Sequence, residues 1–109
     1  MKLHGREGSG AIYNVYGTLP GKNYGTDADE FLVVQTHHDG WAANEASGTS
    51  VVLGLAKYFA QFPRETREKS ILFVAMGSHF GKKADLSEYD NLAYRLAQQG
   101  KVKCAFVVE

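Results

Sequence analysis

The segment Ser70–Met76, Ser-Ile-Leu-Phe-Val-Ala-Met, constrains the fold of this chain more than any other. It is a continuous apolar run, and it lacks the alternation of a strand with one wet face. Such a run is the pattern of a strand buried on both sides, which belongs to sheets covered by helices above and below. Phe31–Thr36 supplies another apolar strand, and Val102–Val108 a last one. Between them the apolar spacing changes to a helical period. Ser47-Gly48-Thr49-Ser50 offers helix caps ahead of Val51, Val52, Leu55, Ala56, Tyr58, Phe59 and Phe62, and Pro63 stops that helix. Tyr58, Phe59 and Phe62 are expected in the core. Ser87 caps a second helix running through Leu92, Tyr94, Leu96 and Ala97 to Gly100. The charged stretch Arg64–Lys69 reads as a solvated connection.

Ahead of these, Ala11–Gly17 alternates and is rich in Ile, Tyr and Val, the signal of a first strand. Pro20-Gly21 and Gly25 break it. The connection to Phe31 is too short for a crossover helix, so these first two strands are expected to be antiparallel if they pair. Residues 1–10 read as a flexible lead-in. The element order is strand, strand, helix, strand, helix, strand. It predicts an α/β fold, a three-layer sandwich fragment with a mixed, mostly parallel sheet, an antiparallel first strand pair and right-handed helical crossovers. The last apolar strand has no helix after it, so the parent chain is expected to continue beyond Glu109, or a partner to cover that strand.

Charge excludes some partners. Twelve basic residues balance twelve acidic ones, which leaves no field to gather nucleic acid or an anionic membrane. No apolar run is long enough to span a bilayer, and the first residues lack a secretion signal. An upstream signal in a longer parent stays open, so the compartment is unassigned. The single cysteine, Cys104, rules out an internal disulfide.

In open α/β sheets, ligands bind beyond the carboxyl ends of the strands. After the second strand comes Thr36-His37-His38-Asp39-Gly40-Trp41, after the third Gly77-Ser78-His79-Phe80, and at the end of the fourth Glu109. Imidazoles and carboxylates therefore gather at one sheet edge. His37 and Asp39 are two apart and point the same way in extended backbone, while His38 points opposite. An imidazole beside a carboxylate suits a zinc ligand and the acid that orients it. Glu45, just before the first helix, is placed to reach the strand ends as another ligand, and Gly40 and Gly48 permit the tight approach. Plainer readings stand beside these. The His-His-Asp run serves equally as a polar turn, His79 as a strand cap, and Asn44-Glu45 as a helix N-terminus. Trp41 either packs over the turn or walls a substrate pocket.

These segments resemble, in order, the catalytic domain of the co-catalytic zinc peptidases, a superfamily that includes bacterial leucine aminopeptidases, glutamate carboxypeptidase, glutaminyl cyclase and the transferrin receptor. Asn14-Val15-Tyr16-Gly17 is similar to its Asn-Val-x-Gly strand, and Leu32–Asp39 to its strand ending in His-x-Asp. Ala46-Ser47-Gly48 resembles its Ala-Ser-Gly turn, Ile71–Gly77 its Phe-Val-Ala-x-Gly strand, and Ala105–Glu109 the next strand, which ends in an acidic ligand. The resemblance covers residues 11–109 as a partial catalytic domain. It implies His37 as first zinc ligand, Asp39 as its orienting acid and Glu109 as a ligand to one of one or two zinc ions. It also implies a peptide substrate and hydrolysis by zinc-activated water. Three positions depart from the pattern. The bridging aspartate aligns with Asn44, so Glu45 would substitute. The usual Glu-Glu pair aligns with His79-Phe80, so His79 would act as proton carrier or ligand. These departures keep a second expectation open: a non-catalytic, peptidase-like interaction module of the transferrin receptor kind.

Overall fold

The computed structural model describes residues 8, 10, 11, 13–39, 46–77 and 92–108. Four strands, β1 (Val15–Leu19), β2 (Phe31–His37), β3 (Ser70–Met76) and β4 (Val102–Val107), form one sheet in the order β1-β3-β2-β4. Helices α1 (Ala46–Phe59) and α2 (Leu92–Gln98) lie in the two long connections. The sheet is mixed: β3 and β4 each pair parallel with β2, and β1 pairs antiparallel with β3. β1 and β2 do run in opposite directions, as their short connection demands, but they are not hydrogen-bonded neighbours, because β3 lies between them.

Alternation along the buried strands divides the core in two. Phe31, Val33, Leu72 and Val74 face one side, where Leu92, Ala93 and Leu96 of α2 pack. Val34, Ile71 and Phe73 face the other, where they meet Val52, Leu55, Ala56 and Phe59 of α1. Helices sit on opposite faces because the chain reverses its direction across the sheet. It steps from β2 to β3, then back past β2 to β4, and crossovers of one hand then place successive helices on opposite sides.

Two expectations are corrected. The sheet-facing stripe of α1 is Val52, Leu55, Ala56 and Phe59, spaced by three and four residues. Tyr58 and Phe62 flank that stripe and are exposed rather than core. They meet edge to face with ring centroids 5.3 Å apart. As expected of a strand with no helix after it, β4 lies at the sheet edge with Phe106 and Val107 54% and 64% exposed among the described residues. The stretch 64–69 is more than a solvated link. Arg64–Thr66 makes a 3₁₀ turn, and half-buried Arg67 donates from Nε to the Pro20 carbonyl at 3.0 Å and from Nη1 to the Phe59 and Phe62 carbonyls at 3.1 and 2.6 Å. A cation there satisfies the carbonyls at the end of α1 and ties them to the β1–β2 connection.

At the end of the sheet away from the strands' carboxyl ends, polar groups close the fold. Buried Ser70 donates from Oγ to Asp29 Oδ1 at 2.7 Å, and its oxygen accepts from the Gly21 N–H at 3.0 Å. Nearby, Glu30 accepts hydrogen bonds from Lys69 and from Lys103, the latter at 2.9 Å. Lys103 is the extra residue where the β2–β4 register shifts between Phe31 and Leu32. The Lys69 and then Lys103 hydrogen bonds hold the Glu30 carboxyl below its ordinary value of 4.5. A lowered folded-state value contributes stability that is present above the unfolded value and is lost as pH falls through the folded one. Glu30→Gln is therefore expected to lower the urea midpoint at about pH 7 and to fall less far below the wild type at about pH 3. An equal deficit at both pH values would show that the carboxylate charge is not the cause.

Candidate metal-site edge

Neighbouring strands β2 and β3 send their following connections to opposite faces of the sheet. Such a switch point opens a crevice beyond the carboxyl ends of the two strands. His37 is the last residue of β2, and Asp39 follows it. The β2 alternation places His37 on the α2 side with Phe31 and Val33, and His38 on the α1 side with Val34. His37 Nδ1 stands 3.5 Å from Asp39 Oδ1, with both side chains mostly buried. That is an ion-pair distance, longer than a good hydrogen bond. A carboxylate facing Nδ1 favours the ring proton on that nitrogen, which makes Nε2 the basic one.

The backbone around the pair is held from three directions. The His38 N–H donates to the Met76 carbonyl at 2.8 Å, continuing the β2–β3 ladder past its last paired residues. The His37 carbonyl accepts from Thr36 Oγ1 at 3.3 Å and from Thr49 Oγ1 of α1 at 3.5 Å. Gly48 lets α1 come this close. A Cβ on it would overlap Thr36 Oγ1 and stand 2.9 Å from the Val108 carbonyl oxygen. The glycine of the Ala-Ser-Gly sequence is thus explained by packing: the first turn of α1 lies directly on the ends of β2 and β4.

Two further contacts link the lead-in of β1 to this rim. Asn14 Oδ1 accepts from the Gly77 N–H at 3.1 Å, and His38 Nε2 lies 2.9 Å from the Tyr13 carbonyl oxygen. A carbonyl only accepts, so His38 carries its proton on Nε2. His37 and His38 therefore favour opposite tautomers. Neither Asn14 nor the His38 ring contact was assigned from sequence. The available signal for Asn14 was its place at the head of the Asn-Val-x-Gly resemblance, which gave it no role at the rim. On the α1 side, His38 also borders an apolar groove of about 500 Å³ lined by Tyr16, Thr49, Val52 and Phe73 among others.

The structure thus brings together His37 and Asp39 of the sequence-predicted site. Trp41, Glu45, His79 and Glu109 lie outside the described residues, as do Asn44 and Phe80. Among the described residues no group of three His, Cys, Asp or Glu side chains is close enough to hold a metal ion. Within the same residues no helix is long and apolar enough to cross a membrane.

A family model described as Peptidase family M28 matches residues 14–78. The match takes in β1, β2, α1 and β3, and so the two strands that flank the switch point, but not α2. No curated protein matches the chain, and no solved structure does.

Proposed function

The chain belongs to peptidase family M28, and on that premise we propose that its sheet edge is part of the zinc site of an aminopeptidase-type hydrolase, cleaving peptide bonds in the full-length parent. The single observation carrying the reading is the His37–Asp39 pair at the carboxyl end of β2, Nδ1 to Oδ1 3.5 Å. The pair fits zinc chemically. Asp39 faces Nδ1 and leaves Nε2 as the ligand atom, and a carboxylate behind a ligating imidazole fixes its tautomer and ring orientation. Glu45 and Glu109 would complete the ligand set for one or two ions, His79 would carry the proton exchanged during peptide cleavage, and Trp41 would wall the substrate side chain. Zinc, when bound, supplies Lewis acidity, which polarises a carbonyl and acidifies water. The chain's own residues orient: Thr49 and Met76 fix the backbone that presents His37, and Asp39 fixes its ring. The exposed apolar side chains of β4 support a further part of the proposal, that the remainder of the parent chain or an oligomer partner covers that strand.

Titration of the 109-residue chain with zinc by calorimetry tests the reading. Saturable uptake at micromolar metal is expected, lost in His37→Ala and weakened in His79→Ala. An intact fold that takes up no zinc sinks it.

The departures at Asn44 and His79-Phe80 favour a second reading, a peptidase-like module kept for protein interaction. An amide bridges two cations poorly, and phenylalanine binds none. This reading expects a melting temperature indifferent to both zinc and chelator.

A further inference from the structure

We propose that His38 is a positioning residue for the His37–Asp39 pair, acting through a clasp on the lead-in of β1; the proposal rests on the metal-site reading above. His38 lies between the two members of the pair and is held at two points. Its N–H is bound to the Met76 carbonyl at 2.8 Å, and its ring reaches over the end of β3 to the Tyr13 carbonyl at 2.9 Å. The ring bond is only as firm as its acceptor, and that acceptor is itself anchored. Asn14, next to Tyr13, takes the Gly77 N–H at 3.1 Å. In the β1–β3 register Val15 faces Ala75, so Gly77 is where the ladder would next bond to backbone. A side-chain oxygen takes that place, which ends the ladder while keeping Gly77 satisfied and the lead-in fixed against the rim.

The consequence follows from extended geometry. Neighbouring side chains on a strand point to opposite faces, so fixing the His38 ring on the α1 side fixes the backbone twist that aims His37 and Asp39 toward the α2 side. The imidazole–carboxylate geometry is then set before any ion arrives. Residues that orient a ligating imidazole through a second contact typically change metal affinity by about 10- to 100-fold.

Two variants of the full chain separate this role from packing. His38→Phe keeps an aromatic ring without a donor, and His38→Gln keeps an N–H donor of similar reach. In the metal-free wild type, long-range ¹⁵N spectra of the His37 ring are expected to show one dominant tautomer, with the proton on Nδ1. In His38→Phe the two tautomers should average and zinc affinity fall about tenfold, while His38→Gln stays within about twofold of wild type. Asn14→Ala should reproduce the His38→Phe spectrum, Asn14→Asp should restore it, and joining His38→Phe to Asn14→Ala should add nothing further. An unchanged His37 ring spectrum in folded His38→Phe overturns the proposal, and so does His38→Gln behaving like His38→Phe. Should the wild type take up no zinc, the peptidase-site reading fails by itself, and the metal-free ring spectra still decide the role of His38.

Discussion

Leu72→Ala is expected to remove about 3–5 kcal/mol of folding stability, a large share of the roughly 5–15 kcal/mol that a domain of this kind possesses. Leu72 is fully buried at the middle of β3, facing Thr18 across the antiparallel pair and Val33 across the parallel one. Its side chain belongs to the cluster of Phe31, Val33 and Val74 that α2 covers with Leu92, Ala93 and Leu96. The sheet backbone is laddered on both sides of this position, so the walls have little freedom to collapse into the gap. The cost therefore includes the cavity as well as the lost transfer of methyl groups. Urea unfolding measures it directly. Leu53→Ala, on α1 at 65% exposure, should stay within about 0.5 kcal/mol of wild type. A loss below about 1 kcal/mol for Leu72→Ala would contradict the packing of α2 on this cluster.

Gly21→Ala is expected to cost about 3 kcal/mol, near the upper end of what overpacking does. A Cβ at Gly21 would stand 2.6 Å from the Lys69 carbonyl carbon, 2.7 Å from the Ser70 nitrogen and 2.9 Å from the Lys69 oxygen. All three are backbone atoms at the start of β3, so no side chain can swing aside. Relief requires moving the Pro20-Gly21 turn away from β3. That movement breaks the Gly21 N–H bond to Ser70 Oγ and the Arg64 Nε bond to the Gly21 carbonyl at 2.9 Å. Ser70 and Asp29 are both buried, so a disturbed partner there is costly. For a chain of this length the melting temperature should fall by roughly 10 °C or more. Gly17→Ala is the matched control, because nothing lies within 4 Å of a Cβ built there. Equal melting of Gly21→Ala and wild type would refute the close approach.

Ser70–Met76 was readable as a strand to the residue, because six consecutive apolar positions after Ser70, without a helical or two-residue period, leave little else. The helix that carries Val52, Leu55, Ala56 and Phe59 was readable from its helical period, but which of its aromatics face the sheet was not, since Tyr58 and Phe62 lie just off that stripe. Strand order was not. That β3 rather than β2 lies beside β1 depends on pairings between residues more than fifty positions apart, and local pattern carries no trace of them. The first strand also begins four residues later than its alternation implies, because Asn14 replaces a backbone partner with a side-chain oxygen. Arg67 looked solvated because composition counts its charge but not the three carbonyls that its guanidinium reaches. At the rim, the His37–Asp39 pair was legible from a two-residue spacing on extended backbone. The His38 clasp was not, since its acceptor is a main-chain oxygen twenty-five residues earlier.

The placement of β2 has a consequence for how the protein is made. Both of its hydrogen-bonding neighbours, β3 and β4, come later in the chain. As synthesis proceeds, the histidine-bearing strand emerges with neither edge satisfied, gains its first partner only after α1 and residues 70–76 leave the ribosome, and its second only after residue 102. Until then it is an exposed, sticky segment, and the nascent chain depends on prompt arrival of the strands that follow, or on a chaperone, to keep it from pairing with another copy.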